Sequence, residues 1–277
     1  MKNNNNTKIA IAIGLIFMSV ILVFPIYNII LISFTPYEQI FSDIPRLFLP
    51  KLTFRWYKEV FVTTPIIRNI INSFIVATGV VIVNIIVATL GGYSLSRFKY
   101  TGKRFFSTMI IFTYLFPPIL LVLSLFMIIN SLGLTNTYAG IICVHITGTL
   151  PFSIWLLRGF FNSIPKELDE SALIDGASRL TILLKVIVPI ALPGIAAIAA
   201  FSFIMSWNEY LFSSVLMATP TMKTLPVKIA EFIVETSEIR WGTVMAAATI
   251  ALIPATVFFQ FIQKAFIEGL TTGAVKG

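Results

Sequence analysis

RGFFNSIPKELDESALIDGASRLTILLKVIVPIALP, residues Arg158–Pro193, places an acid-rich segment and a glycine between two strongly apolar segments. The apolar segments, at about 138–160 and 186–217, are long enough to cross a bilayer as helices. A hydrocarbon core about 30 Å thick needs roughly 20 residues of helix. The polar residues between them therefore form a loop at one face of a membrane.

The composition of the whole chain is that of an integral membrane protein. Apolar residues make up 57% of the 277 residues and charged residues only 12%, with 25 Phe. A soluble domain carries about 25% charged residues. The net charge of +8 comes from Lys and Arg in short loops between apolar runs, which orients a membrane protein and does not indicate nucleic acid binding. The single Cys143 cannot form an internal disulfide.

The apolar segments predict an all-α integral membrane protein with six spans, because lipid leaves helices as the economical way to satisfy backbone groups. The apolar run near the start is too long for a signal peptide and is expected to be retained as the first span. We expect a first span and outer loop over 1–66, a membrane core over 67–268 with a cytoplasmic loop over 162–185, and a tail over 269–277. The six spans are about Ile9–Phe34, Ile70–Tyr93, Phe105–Ile129, Tyr138–Phe160, Val186–Met217 and Val244–Ile267.

The distribution of charge assigns the two faces. An even number of spans puts both termini on one face, and that face holds twelve of the twenty Lys and Arg residues with five acids. The opposite face holds eight Lys and Arg with six acids. Basic loops stay on the cytoplasmic side. The sequence therefore predicts a multi-pass protein of the cell membrane with both termini and the acid-rich loop in the cytoplasm.

The acid-rich loop itself predicts a helix, a tight bend and a second helix. Pro165 suits a first helical turn, and acids near a helix N-terminus are favoured by the helix dipole. Gly176 suits the left-handed conformation that ends a helix, and Ser178 suits the cap of the next one. At 100° per residue, two apolar faces result, one with Ile164, Leu168 and Ala172 and the other with Leu173 and Ile174. We expect one face to pack on the protein and the other to bind a partner.

These residues resemble the "EAA" loop of ABC importer membrane subunits, whose pattern is Glu-Ala-Ala-x3-Gly-x9-Ile-x-Leu-Pro. The matching residues here are Glu170, Ser171, Ala172, Gly176, Val186, Val188 and Pro189. Ser171, Val186 and Val188 depart from the pattern by small or apolar replacements of similar kind. Further stretches resemble the carbohydrate-uptake branch, which includes the smaller membrane subunit of the maltose importer: Gly92, Tyr93, Arg97, Phe98, 158–161, 207–209 and the tail GLTTGAVKG from Gly269.

The resemblance implies a permease subunit of an ATP-driven sugar importer that forms half of the pathway and is not an enzyme. ATP and Mg would sit on partner subunits, and this chain has no phosphate-binding G-x-x-x-x-G-K-[ST] loop, metal site or catalytic centre of its own. The implied partners are two ATP-binding subunits, a second and unlike permease subunit, and an extracytoplasmic binding protein. The implied coupling residues are Glu167, Glu170, Ala172, Asp175, Gly176 and Pro189, and the implied tail contacts are Gly269, Thr271 and Gly273.

Three consecutive residues, Trp207, Asn208 and Glu209, are candidates for the substrate path. Glu209 is the only acid that we place in a span, at the outer end of the fifth, and acids in spans tend to be functional. A cap or a bond to a neighbouring helix is an equal alternative for it. The sole histidine, His145, is expected to make a hydrogen bond between helices.

Two other kinds of transporter remain as alternatives. The first is an ABC permease for glycerol phosphate or polyols, which has the same build. The second is a secondary transporter or channel without ATPase partners, which predicts broken helices and charge pairs at mid-membrane depth. The sequence shows neither of these features, and such a transporter leaves the two-faced loop unexplained.

Overall fold

The computed structural model describes residues 3–41, 48, 51–234 and 240–274, and every regular element in those ranges is helical. One segment, Leu183–Ile187, is a π-helix between α9 and α10. The α-helices, in chain order, are α1 (Asn3–Ser33), α2 (Tyr37–Ile40), α3 (Arg55–Thr63), α4 (Ile66–Arg97), α5 (Lys103–Tyr114), α6 (Pro118–Ser131), α7 (Tyr138–Ser163), α8 (Glu167–Ile174), α9 (Arg179–Ile182), α10 (Val188–Ile190), α11 (Leu192–Trp207), α12 (Leu211–Leu216), α13 (Leu225–Val234) and α14 (Trp241–Ala274).

The chain divides into two compact units. The first comprises Met1–Ile66 and Ile229–Ile253, and the second comprises Ile67–Lys228 and Pro254–Gly277. In the first unit, Trp56 donates from its indole nitrogen to Thr35 O at 2.7 Å. Gly242 is required beside this indole, because a Cβ there would lie only 2.2 Å from the ring. The second unit contains the acid-rich loop and is the unit described below.

Within the described residues, four helices are long and apolar enough to cross a membrane, and two further helix pairs qualify if each bent pair counts as one span. This part of the chain is thus that of an all-helical membrane protein with four to six candidate spans. The four single helices are Thr7–Ser33, Ile66–Arg97, Tyr138–Ser163 and Trp241–Gln260, and the bent pairs are Lys103–Tyr114 with Pro118–Ser131 and Arg179–Ile190 with Leu192–Trp207.

The bends correct the expectation of continuous helices at 105–129 and 186–217. The first pair bends by 102° at Pro117 and Pro118, because proline cannot donate the backbone bond that would continue α5. The second pair bends by 80° at Ala191, between α10, which contains Pro189, and the start of α11. Both pairs are therefore broken helices, which corrects the expectation that this protein has none.

Close helix packing in the second unit depends on small residues and on a buried polar group. Gly194 on α11 faces Phe160 on α7, where a Cβ would lie 2.6 Å from the ring. Asn84 of α4 is fully buried and donates to Thr149 of α7 at 2.6 Å and to Ser202 of α11 at 2.8 Å. Hydrogen bonds of this kind hold helices together where there is little hydrophobic driving force between them. The three helices therefore form a fixed centre for the unit.

Candidate functional site

The acid-rich loop folds as the sequence predicts, with a helix, a bend and a second helix. Helix α8 ends at Ile174, and Gly176 follows with φ of 79°, in the left-handed region that side chains disfavour. Ser178 then caps α9 by accepting a hydrogen bond from the Thr181 amide at 3.2 Å. The predicted roles of Gly176 and Ser178 in the backbone are confirmed. We call residues 164–178 the acidic loop.

A buried ion pair anchors the acidic loop to the end of α4. Asp169 Oδ2 lies 3.0 Å from Arg97 Nε, with the two side chains only 5% and 3% exposed. The contact is electrostatic and lacks the alignment of a hydrogen bond, since neither atom meets hydrogen-bond geometry. Tyr93 donates its hydroxyl hydrogen to Asp169 Oδ1 at 3.1 Å, and Arg97 donates to Ile164 O at 3.0 Å. These contacts join Ile164 and Asp169, and with them the first part of the acidic loop, to α4.

One face of α8 packs inward. Ile164 is buried in the apolar cluster that also contains Leu157, Ile182 and Ile187, and Ala172 packs against this cluster. Leu168, which the periodicity places on the same face, is 40% exposed and lies at its edge. The loop is thus part of the core at this end of the unit.

The other face of α8 is open. Ile174 is 87% exposed. Glu167, Glu170 and Asp175 are exposed as well. Pro189, beyond the π-helical segment, is also exposed. Glu167, Glu170 and Asp175 therefore form a small acidic surface with Ile174 as its apolar tip, whereas Ala172 faces inward and Pro189 lies outside the acidic loop.

A second feature is a cavity of about 610 Å³ beside the break between α5 and α6. Its walls come from the end of α5, the start of α6, the middle of α7 and the α11–α12 connection. Aromatic and hydroxyl side chains dominate it, among them Tyr114, Phe116, Thr147 and Tyr210. Pockets of 300 to 1,000 Å³ with apolar walls and a few polar groups are typical of small-molecule sites.

Glu209 lies in the break between α11 and α12, which corrects its placement inside a continuous fifth span. Its carboxylate accepts from the Phe212 amide at 2.7 Å and the Ser213 amide at 3.0 Å, so it caps α12. It also pairs with His145 Nε2 at 2.9 Å, and His145 Nδ1 contacts Ser206 Oγ at 2.8 Å. The expected interhelical bond of His145 is confirmed, and Glu209 both caps a helix and lines the cavity.

The neighbours of Glu209 divide between cavity and core. Asn208 lines the cavity, whereas Trp207 is 3% exposed and stacks on Phe203 with ring centroids 5.6 Å apart. The structure therefore does not place Trp207 in the cavity wall. Gly269, Thr271 and Gly273 lie in the last turns of α14, where composition alone suggests a frayed tail, and residues 275–277 lie outside the described residues.

Sequence reasoning missed the residues that fix the acidic loop. Asp169 is one of three acids in the first turn of α8, and nothing local distinguishes it from Glu167 or Glu170. Arg97 and Tyr93 appeared only as part of a resemblance, with no contact assigned. Helical spacing gives no signal either, because Asp169 lies about 100° around α8 from Leu168 and only about 40° from Leu173 on the outer side.

Comparison with known proteins finds relatives that align with nearly the whole chain. It is 36% identical to the trehalose/maltose transport system permease protein MalG of Thermococcus litoralis, over 98% of this chain and 97% of that protein. It is 32% identical to the diacetylchitobiose uptake system permease protein DasC of Streptomyces coelicolor, over 99% and 96%. A crystal structure of a bacterial ABC transporter involved in the import of the acidic polysaccharide alginate aligns with a TM-score of 0.80 and 25% identity, covering 96% of this chain and 98% of that one.

A family model provides the same assignment independently of any single relative. The model of the binding-protein-dependent transport system inner membrane component matches residues 84–271. That range includes the acidic loop, both helix breaks and the cavity. The chain therefore belongs to the family of inner membrane components of binding-protein-dependent transport systems.

Proposed function

We propose that this chain is one permease subunit of an ATP-driven sugar importer and that its acidic loop is the part that receives force from an ATP-binding subunit. Members of this family are not catalytic, and separate subunits hydrolyse ATP. One observation carries the proposal: the acidic loop exposes Ile174 and three acids while Asp169 holds it on α4. A partner that covers Ile174 would gain the free energy of burying its side chain, about 1.5 to 3 kcal/mol, on a support that the Asp169–Arg97 pair already holds in place.

The proposed arrangement in the membrane follows the charge distribution. Counting each bent pair as one span gives six, which puts both termini and the acidic loop in the cytoplasm. A second permease subunit, unlike this one, completes the pathway, and two ATP-binding subunits bind below it. A binding protein delivers the cargo on the outer side, in keeping with the family description. Glu167, Glu170, Asp175 and Gly176 form the contact surface and its hinge, and the end of α14 contacts the ATP-binding subunits.

The proposed cargo is a sugar, because the relatives are named for trehalose and maltose, for diacetylchitobiose and for alginate. The cavity supports this choice. Its aromatic rings can stack on sugar rings, and Asn208 and Glu209 can bond to hydroxyl groups. Its volume of about 610 Å³ suits a mono- or disaccharide unit at a time. Alternating access would open this cavity to one face and then to the other.

The position and role of the acidic loop can be tested together. With Cys143 replaced by serine, Ile174→Cys should react with a membrane-impermeant maleimide in inside-out vesicles and not in intact cells. Ile174→Asp should lower co-purification of the ATP-binding subunits, because it charges the exposed apolar tip. Leu52→Asp is the matched control, since Leu52 is 65% exposed on the face that we predict to be outer. Labelling of Ile174→Cys from outside the cell would refute the proposal.

The cargo requires a transport assay. Proteoliposomes with the complete complex and its binding protein are supplied with radiolabelled trehalose, maltose, diacetylchitobiose, a polyol or glycerol phosphate. We expect ATP-dependent uptake of one of the sugars. Uptake of glycerol phosphate or a polyol alone would retain the coupling proposal and reject the sugar. Uptake that needs no ATP would reject both.

A further inference from the structure

A second cavity, separate from the proposed path, lies where α5 begins and α7 approaches its end. Its volume is about 450 Å³, and it is lined by Tyr100, Gly102, Lys103, Arg104, Ser107, Thr108 and Arg158. Three of these residues are cations and three carry hydroxyl groups. None of the lining residues in the described part of the chain is an acid. The cavity is therefore a concentration of positive charge and hydrogen-bond donors without a negative partner.

Two further observations show that donors are available in this cavity. Arg158 donates from a terminal nitrogen to Ser107 Oγ, but its buried Nε has no hydrogen-bond partner within the described residues. The first turn of α5 has no side-chain cap, because Gly102, with φ of 86°, occupies the cap position. Uncapped amides at a helix N-terminus favour an anion. Lys103 is partly engaged, since its Nζ donates to Phe98 O at 3.0 Å.

The surroundings of the cavity identify the source of the anion. Below the cations, α5 becomes apolar at once, with Phe105, Phe106 and Phe112 exposed by 64%, 56% and 62%. A phosphate in the cavity would thus lie directly above an apolar surface at the end of a candidate span. A phospholipid has the same order of groups, with a charged phosphate above acyl chains. Basic cavities between membrane helices at the headgroup level bind anionic headgroups.

We propose that this cavity binds the phosphate headgroup of an anionic phospholipid, with Arg104 and Arg158 as its main ligands and the acyl chains along the phenylalanines of α5. The lipid would fill the space between the start of α5 and α7 and compensate the cations there. This site is independent of the sugar and of the coupling role, so its test does not depend on them.

The test measures lipid binding to the full chain, purified in neutral detergent with its accompanying subunits and stripped of native lipid. Native mass spectrometry follows titration with phosphatidylglycerol, with phosphatidylcholine of the same chains, or with inorganic phosphate alone. We expect phosphatidylglycerol to remain bound and phosphatidylcholine to bind at least five-fold more weakly. Arg104→Gln and Arg158→Gln should each weaken phosphatidylglycerol binding about five-fold, the effect typical of one basic residue at a membrane surface.

The controls separate specific charges from total charge. Lys99→Gln removes a positive charge from the same connection but not from the cavity, and should change binding less than two-fold. Arg158→Lys should retain most of the binding. Because Arg104 is exposed, Arg104→Gln is expected to fold and therefore tests the proposal even if Arg158→Gln does not fold. Four results would each overturn the proposal. They are phosphatidylcholine binding as tightly as phosphatidylglycerol, a loss of binding in Lys99→Gln as large as in the cavity variants, unchanged phosphatidylglycerol binding in Arg104→Gln, and inorganic phosphate binding as tightly as the lipid.

Discussion

Replacing Asp169 with asparagine should release the acidic loop from α4. The substitution keeps the size of the side chain and removes one charge from a pair whose members are 5% and 3% exposed. Breaking a buried pair from one side costs about 3 to 5 kcal/mol, because the remaining charge is left without compensation. Arg97 keeps its bond to Ile164 O, so the lower figure applies. A loss of about 3 kcal/mol corresponds to a population of the released loop roughly a hundred-fold higher.

Hydrogen exchange measures this release directly. The amides of residues 169–177 should exchange roughly a hundred-fold faster in Asp169→Asn, since they exchange through local opening of the loop. Glu170→Gln is the matched control, because it removes a neighbouring but exposed charge and should leave exchange within two-fold of the wild type. A charge swap, Asp169→Arg with Arg97→Asp, should exchange more slowly than either single change. If Asp169→Asn exchanged like the wild type, the ion pair would not be what holds the loop.

Three other changes test separate parts of the structure. Gly176→Val forces a β-branched residue to adopt φ of 79°, so transport per ATP hydrolysed should fall several-fold in proteoliposomes while the protein still inserts. Gly159→Val is the control, because Gly159 has open space around it and does not line the cavity. Gly194→Val places a Cβ about 2.6 Å from the Phe160 ring and should lower the thermal stability in detergent, by about 1 to 3 kcal/mol as in other overpacked cores. Glu209→Gln loses the pairing with His145 and weakens the cap of α12, a loss of about 1 kcal/mol, visible as a lower melting temperature than that of Asn208→Ala.

The parts of the fold that depend on local chemistry were predictable from the sequence. The length of apolar runs gives the membrane helices, and α4 and α7 begin and end within a few residues of the predicted bounds. Gly176 acts through its own backbone conformation and Ser178 through an amide three residues away, so the bend in the acidic loop follows from residue type alone. Such features need no knowledge of the tertiary structure.

The missed features depend on contacts between distant parts of the chain. Asp169 is buried only because α4 places Arg97 and Tyr93 next to it, more than 70 residues earlier. The break at Ala191 has no proline at its own position, and apolar composition continues through it, so hydropathy predicts a continuous helix there. A helix cap is one of the roles that the sequence predicts for Glu209. The sequence does not show, however, that α11 ends at Trp207 and that a separate helix, α12, follows for Glu209 to cap.

The anchoring of the acidic loop determines which helices a push on it would move. Covalently, the loop continues through α9 and the π-helical segment to α11, but an 80° bend at Ala191 interrupts that route. The Asp169–Arg97 pair joins the loop directly to α4, and the apolar cluster around Ile164 and Leu157 joins it to α7. Under the proposed function, force on the loop would therefore move α4 and α7 as one body with it, because both are joined to it by buried contacts. The bend at Ala191 would then absorb the difference in motion between that body and α11, whose opposite end lines the cavity that has to open and close.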